Sequence, residues 1–191
     1  MRRAVFALLL VASASSPAKA GPALDLVHAA RAQVGVTLAY DPSYQRIAYP
    51  MGDVPLERGV CSDVVVRAFR GVGIDLQAEL HGDMKRHFAA YPRIWGLQKT
   101  DANIDHRRVP NLATWFTRQS YDLRVTDAPA DYQPGDVVAW VLDNGRPHIG
   151  IVSDRRSEDG ARPLMIHNIG GGAREEDVLF AYRITGHFRA F

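Results

Sequence analysis

The sequence predicts an α+β domain whose N-terminal helices pack on a C-terminal antiparallel sheet. Apolar residues recur at helical spacing in several segments before residue 120, whereas from Tyr121 onward they alternate as they do in strands. Turn-forming residues separate the alternating segments. Helices followed by antiparallel strands are typical of α+β proteins. With 191 residues, 47% of them hydrophobic, the chain is long enough for one domain with a sizeable core.

Four helices are predicted in the first part of the chain. They cover residues 23–34, 61–69, 76–90 and 110–118. Gly35 ends the first helix, Gly71 follows the second, and Pro110 suits the first turn of the fourth. On the second helix, Asp63 and Arg67 are four residues apart, so we expect them to form an ion pair.

Long loops separate these helices. The first contains Asp-Pro, Tyr-Pro and Gly-Asp pairs, which are typical of turns, and it carries Tyr40, Tyr44 and Tyr49. Loops of this length inside a compact domain are often functional, so the tyrosines are candidates to line a cleft. Ordinary half-buried packing is the alternative for each of them. The second loop holds the polar residues 101–108, which form either a substrate-facing loop or solvated surface.

Strands are predicted for the second part of the chain. They cover residues 136–142, 147–153, 164–169 and 179–188. Residues 143–145 read Asp-Asn-Gly, which predicts a tight hairpin turn between the first two strands. The polar residues 154–162 form a longer hairpin loop between the second and third strands.

The first twenty residues are predicted to be a cleaved export signal. Arg2 and Arg3 precede a short apolar stretch, and residues 18–20 read Ala-Lys-Ala, a small-x-small cleavage pattern. We therefore expect a mature chain of residues 21–191 that begins at Gly21 and is periplasmic or secreted, without stable membrane insertion. An uncleaved anchor is the alternative, although the apolar stretch is too short to span a bilayer.

The charge and cysteine content restrict the partners. The chain has 23 basic and 21 acidic residues, and three of the basic ones, Arg2, Arg3 and Lys19, lie in the predicted signal. The mature chain is therefore slightly acidic, which gives no support to a nucleic-acid partner. Cys61 is the single cysteine, which excludes an intramolecular disulfide. No cofactor is predicted, and a monomer is assumed.

Cys61 lies where the second helix is predicted to start. Unpaired backbone N–H groups and the helix dipole favour an anion there, so we expect a thiolate, the form that attacks carbonyl carbons. Asp63 in the same turn acts against this by raising the pKa of the thiol. The alternative is that Cys61 is a small buried hydrophobe, as free cysteines usually are.

Two histidines complete a candidate catalytic group. If Ser153 lies opposite Arg162, His148 and His167 lie directly opposite each other. Directly opposed side chains share one face of a sheet, with Cβ atoms about 5 Å apart. One histidine can then take the thiol proton while the other orients it. A one-residue slip would place them on opposite faces, and each histidine taken alone is more often structural.

Four motifs in order resemble the NlpC-type cell-wall cysteine peptidases, which are compact relatives of papain. They are Cys61 at a helix start, Gly-Asp-Val-Val at 135–138, His-Ile-Gly-Ile-Val at 148–152, and Met-Ile-His at 165–167. The resemblance implies a papain-like fold with Cys61 as nucleophile, His148 as base and His167 as the residue that orients the base. It also implies hydrolysis of amide bonds in peptidoglycan peptides.

A closer resemblance, over nearly all of the mature chain, is to the bacterial family of unknown function DUF1287. The segments that carry it are residues 49–55, 59–65, 103–112 and 167–170. That family is grouped with the NlpC-like fold, and the grouping implies no particular substrate.

Six residues are candidates for substrate contact, namely Tyr40, Asp63, Asp105, His106, Arg107 and Arg108. Tyr40 is an inexact match to the tyrosine that NlpC-type peptidases carry after a Gly-x-Pro turn. Asp63 replaces their glycine after Cys-Ser, and Val60 replaces the acidic residue before the cysteine. The remaining four belong to a segment that we expect to line the cleft of Cys61, with Arg107 or Arg108 holding a substrate carboxylate.

The sequence thus predicts an exported thiol hydrolase that acts on peptidoglycan or its peptide fragments. One alternative is a non-catalytic wall-binding module of the same fold. Another is a zinc site formed by Cys61, His148 and His167, although the tight ligand pairs typical of zinc sites are missing.

Overall fold

The computed structural model describes residues 21–191, so the predicted export signal and its cleavage site lie outside the described residues. In this part of the chain the helices are α1 (Pro22–Arg31), α2 (Cys61–Gly71), α3 (Leu76–Arg86) and α4 (Val109–Arg118). The strands are β1 (Ala39–Tyr40), β2 (Arg58–Gly59), β3 (Val137–Val141), β4 (Pro147–Arg156), β5 (Pro163–Asn168), β6 (Ala173–Glu176) and β7 (Arg183–Phe188). The predicted α+β class is confirmed.

Five strands form one antiparallel sheet, and the helices precede it in the chain. The strand order is β6-β5-β4-β3-β7, and β1 pairs with β2 in a small parallel ribbon next to α2. The apolar face of α2, including Val64, Val65 and Ala68, packs on the sheet against Ile149 and Ile151 of β4. The helix that carries Cys61 is therefore held against the strand that carries His148.

The N-terminus of α2 is fixed by a side chain inside its own first turn. The Asp63 carboxylate accepts a hydrogen bond from the backbone N–H of Val60, with an oxygen–nitrogen distance of 2.6 Å. This is the acidic half of a capping box, which satisfies a donor that a helix N-terminus otherwise leaves unpaired. The helix consequently begins at Cys61, as predicted.

Some predicted boundaries differ from the structure. The first helix ends at Arg31, and the third ends at Arg86, where a separate 3-10 turn covers Phe88–Ala90. The sequence analysis missed the short strands β1, β2 and β6 because two to four residues are too few for an alternating pattern. Among the described residues, no helix combines the length and the apolar character needed to cross a bilayer.

Candidate active site

Cys61 lies at the junction of α2, the β1–β2 ribbon and β4. Its side chain is buried, and the backbone N–H of Ile149 lies close enough to its sulfur to lower the pKa of the thiol. Because Ile149 follows His148 directly, the sulfur lies beside the main chain of His148. On the other side, the β1–β2 pairing sets Tyr40 next to Gly59; burial raises the pKa of Tyr40 to about 12, and the neighbouring Cys61 acts in the same direction.

The resting form of Cys61 is a thiol. Burial raises its pKa to about 11, and the charge of Asp63 acts in the same direction. Backbone N–H groups of Ile149, Ser62 and Cys61 itself favour the thiolate, but their effect is smaller than that of burial. The predicted resting thiolate is therefore wrong. Because the sulfur is buried, its loss of solvation raises the pKa by more than the N–H groups at the helix N-terminus lower it.

His148 and His167 are in direct contact on neighbouring strands. His148 Nε2 and His167 Nδ1 are 2.9 Å apart, and the two rings meet edge to face with centroids 5.1 Å apart. Trp140 of β3 is the register partner of His148 and stacks on its ring at a centroid distance of 5.6 Å. Both histidines are buried, so their rings are held in place by packing as well as by the hydrogen bond.

The register between β4 and β5 differs by two residues from the predicted one. Ile151 pairs with Ile166, which places Gly150 opposite His167 and makes His148 its diagonal neighbour. A shift of two residues keeps both histidines on one face, since side chains alternate with a period of two. The missing side chain of Gly150 is what allows their contact, because a Cβ there would lie 3.0 Å from the Cβ of His167.

Both histidines are neutral at neutral pH. Burial lowers the pKa of His148 to about 3, and the neighbouring His167 acts in the same direction. Burial also lowers the pKa of His167, although Glu176 of β6 opposes this effect. His167 Nε2 lies 3.2 Å from a carboxylate oxygen of Glu176. The sequence analysis missed Glu176 because it lies in a short, charged strand that was not predicted.

The family-model comparison matches residues 27–190 to the Domain of unknown function (DUF1287). The chain belongs to this family. This chain is also similar to the "Uncharacterized protein YijF" of Escherichia coli (strain K12), with 57% identity over 168 residues, which cover 88% of this chain and 82% of that protein. The resemblance to DUF1287 drawn from the motifs is confirmed.

One solved structure similar to this DUF1287 chain is that of NlpC1 from Trichomonas vaginalis. The two are 13% identical with a TM-score of 0.48, and the match covers 91% of this chain and 46% of that one. Independently of that likeness, the chain carries Cys61 at a helix N-terminus and His148 and His167 on adjacent antiparallel strands. This is the arrangement that the NlpC-type motifs imply.

Asp63 and Arg107 form a buried ion pair next to the first turn of α2. Arg107 Nε and Nη2 donate to the two Asp63 oxygens at 2.9 and 3.0 Å, and both side chains are almost wholly buried. The same guanidinium donates to the backbone carbonyls of Asp41 and Ser43, directly after Tyr40. The charges of Asp63 and Arg107 are thus already paired inside the protein, which favours a structural role over the predicted substrate contacts.

The predicted ion pair between Asp63 and Arg67 is also wrong. Arg67 instead donates to Asp53 at 2.9 and 3.1 Å, as well as to the backbone carbonyl oxygens of Val54 and Arg58. The local i,i+4 spacing allowed the Asp63 pair, but the fold brings a more distant partner to each side chain.

The rest of the 101–108 segment divides into buried and half-buried residues. Asp105 and His106 are buried, and burial raises the pKa of Asp105 to about 6 and lowers that of His106 to about 4. Both side chains pack inside the fold, so this burial gives no support to their predicted substrate contacts. Arg108 is half-buried, with its guanidinium 4.9 Å from the centre of the Trp95 ring, and stays a candidate substrate contact. Tyr40 is the candidate that the structure brings to the Cys61 sulfur.

We expect Arg107→Met to destabilise the protein by about 3–5 kcal/mol, because the variant leaves the buried Asp63 carboxylate without its counter-charge. Chemical denaturation would measure the free energy of unfolding. Arg58→Met is the matched control, since Arg58 pairs with Asp41 at an exposed site and such pairs contribute about 1 kcal/mol or less. Unchanged stability together with a raised KM would instead favour the substrate role.

Within residues 21–191, no group of three or more His, Cys, Asp or Glu side chains has the geometry to hold a metal ion. The sequence alternative of a zinc site at Cys61, His148 and His167 therefore gains no geometric support from the described part of the chain.

Proposed function

We propose that this protein is a cysteine hydrolase that cleaves amide bonds through an acyl intermediate on Cys61, with His148 as general base and His167 as its orienting partner. The observation that carries the proposal is that neighbouring groups extend without a gap from the surroundings of the Cys61 sulfur to the two histidines. Tyr40 and the Ile149 N–H both lie beside the Cys61 sulfur, and His148, the residue before Ile149, forms the 2.9 Å hydrogen bond to His167.

The neutral resting states suit a proton transfer during the attack. His148 Nε2 is engaged by His167, so Nδ1 is the nitrogen left to take the thiol proton. As that proton moves to Nδ1, the sulfur forms a bond to the amide carbon and the oxygen becomes an oxyanion. Collapse of this intermediate breaks the C–N bond, and the protonated His148 gives its proton to the departing amine.

The second half of the reaction releases the acyl group. A water molecule attacks the thioester while His148 accepts its proton, and the Cys61 thiol leaves with that proton as the carboxylic acid departs. The backbone N–H of Cys61 at the helix N-terminus is placed to stabilise the oxyanion in both halves. The Tyr40 hydroxyl stabilises the negative charge that develops on the sulfur.

Peptidoglycan peptides are the substrate class that we propose. The resemblance of the four motifs to NlpC-type cell-wall peptidases supports this choice. The signal-like first twenty residues also support it, because an exported protein reaches the cell wall.

Digestion of purified peptidoglycan by the exported protein tests the proposal. Mass analysis of the soluble products should show fragments with new amino and carboxyl termini at one kind of amide bond. A rapid quench should show a fraction of the protein heavier by one acyl fragment on Cys61. Binding to the wall without released fragments would contradict the proposal and favour the non-catalytic module.

We expect Tyr40→Phe to lower kcat about 10- to 100-fold, the equivalent of one hydrogen bond to a charged group. The reason is that the Tyr40 hydroxyl lies beside the Cys61 sulfur and is a donor for the negative charge that grows there during the attack. Steady-state kinetics would measure the change. Tyr44→Phe is the matched control, since the Tyr44 hydroxyl bonds to Asp101 at 3.0 Å, and its kcat should be unaltered. Equal turnover of the two variants would rule out this role for Tyr40.

A further inference from the structure

Glu176 lies next to His167, on the side of its ring that faces away from His148. It lies in β6, where Arg174 is the register partner of His167, so Glu176 is the diagonal neighbour of His167 on the same face. One of its carboxylate oxygens is 3.2 Å from His167 Nε2. His167 is fully buried, and among the described residues its Nε2 meets no acceptor in hydrogen-bond geometry, so Glu176 acts on this nitrogen through its charge.

The hydrogen bond between the histidines allows two arrangements of protons. In the first, His148 carries its proton on Nε2 and donates it to Nδ1 of His167, whose own proton is then on Nε2. In the second, His167 carries its proton on Nδ1 and donates it to His148, whose proton is then on Nδ1. Heavy-atom positions are the same in both arrangements, so the 2.9 Å distance alone does not select one.

The two arrangements differ in what they can do to Cys61. In the first, Nδ1 of His148 has a free lone pair and can take the thiol proton. In the second, Nδ1 is already protonated and His148 has no basic nitrogen left for the thiol. A histidine held in the wrong tautomer loses most of its catalytic effect even when the geometry is intact.

Glu176 distinguishes between the arrangements. In the first, the proton on His167 Nε2 is attracted by the negative charge of the carboxylate, one oxygen of which is 3.2 Å from that nitrogen. In the second, the same nitrogen presents a lone pair, and the carboxylate charge 3.2 Å away repels it in a buried environment. The second charged neighbour is Arg174, an exposed side chain that lies 3.5 Å from the other oxygen of Glu176.

We infer that Glu176 is a positioning residue: through His167 it holds His148 in the tautomer whose Nδ1 accepts the proton of Cys61. The consequence for catalysis rests on the proposed function, whereas the tautomer itself is a property of the folded protein. Glu176 touches neither the sulfur nor the substrate, and acts only through the His167 ring.

The test compares Glu176→Gln with the wild-type protein by NMR of ¹⁵N-labelled histidine rings at neutral pH. Long-range proton–nitrogen spectra distinguish a protonated ring nitrogen from an unprotonated one. In the wild type we expect both histidines to be protonated on Nε2 and unprotonated on Nδ1. In Glu176→Gln we expect Nδ1-protonated forms of both rings to appear, because an amide can either donate to or accept from His167 Nε2.

Arg174→Gln is the matched control, because it removes the neighbouring charge and keeps the carboxylate. Its ring spectra should match those of the wild type. In an activity assay, we expect Glu176→Gln to lower kcat about tenfold with KM little changed, the low end of the 10- to 100-fold range seen for partners that orient functional histidines. Glu176 is partly exposed, so the variant is expected to fold, and its melting temperature checks this.

Two outcomes would overturn the inference. One is a wild-type spectrum with Nδ1 protonated, and the other is an unchanged pattern of ring protonation in folded Glu176→Gln, whatever happens to turnover. If the protein is inactive towards peptidoglycan but the tautomers shift as expected, the proposed function fails and the role of Glu176 stands.

Discussion

Cys61→Ala is expected to abolish amide hydrolysis, with a loss on the order of 10⁶-fold, as for other enzymes that lose their nucleophile. No second cysteine is present in the chain to replace it. The neighbouring hydroxyl of Ser62 is not a substitute, because it is buried and donates to the backbone carbonyl of Arg107 at 2.7 Å. Turnover of peptidoglycan peptides by the purified variant would measure the loss.

The same variant should stay folded, because the lost sulfur atom makes up only a small part of the buried apolar side chains that helices and sheet contribute to the core. Melting temperature and metal content should be measured on the same sample. Full activity in folded Cys61→Ala would end the hydrolase proposal. Loss of a bound metal in parallel with activity would instead favour the zinc alternative.

The helix start and the histidine pair were predictable because both depend on local periods. A helical period around Cys61 and a two-residue alternation around His148 and His167 require only the neighbouring residues in the chain. A shared face also survives the two-residue error in register, which a one-residue error would not. The hairpin closes with Arg156 opposite Pro163, and a bulge between Val152 and Arg156 then changes the register; neither feature has a comparably clear local pattern in the sequence.

The partners of the charged residues were not predictable in the same way. Asp63 is paired with Arg107, 44 residues further along the chain, although Arg67 stands at the local i,i+4 position. Burial decides this choice, because the fold places Arg107 against the first turn of α2 and leaves Arg67 to Asp53. Asp63 and Arg107, which the sequence suggested as polar substrate contacts, therefore form a buried ion pair that stabilises the fold.

The ionisation state of Cys61 shows a second limit of the sequence argument. Position at a helix N-terminus is visible in the sequence, and it does favour the thiolate. Complete burial is not visible there, and it raises the pKa of the thiol to about 11. The balance of the two effects depends on the tertiary structure around Tyr40 and Ile149.

His148→Ala should lower kcat about 10²- to 10⁴-fold, the usual loss when a general base is removed. The thiol of Cys61 would then have no base for its proton, while burial keeps it protonated at neutral pH. His187→Ala is the control, because His187 is an equally buried histidine that bonds to Asp136 at 2.7 Å. It should lower the melting temperature and leave turnover per folded molecule unchanged. Similar kinetics for the two variants would contradict a catalytic role for His148.

His167→Ala should cost less than His148→Ala, because a water molecule can occupy the vacated space and partly replace the lost acceptor. His167→Asn and His167→Gln should retain more activity than His167→Ala, since an amide oxygen can still accept the N–H of His148. Turnover and melting temperature measured on all four variants give the order of effects. If His167→Ala, His167→Asn and His167→Gln lose stability in step with activity, the bond between the histidines supports the fold and not the reaction. If instead the amides restore turnover at unchanged stability, His167 acts by orienting His148.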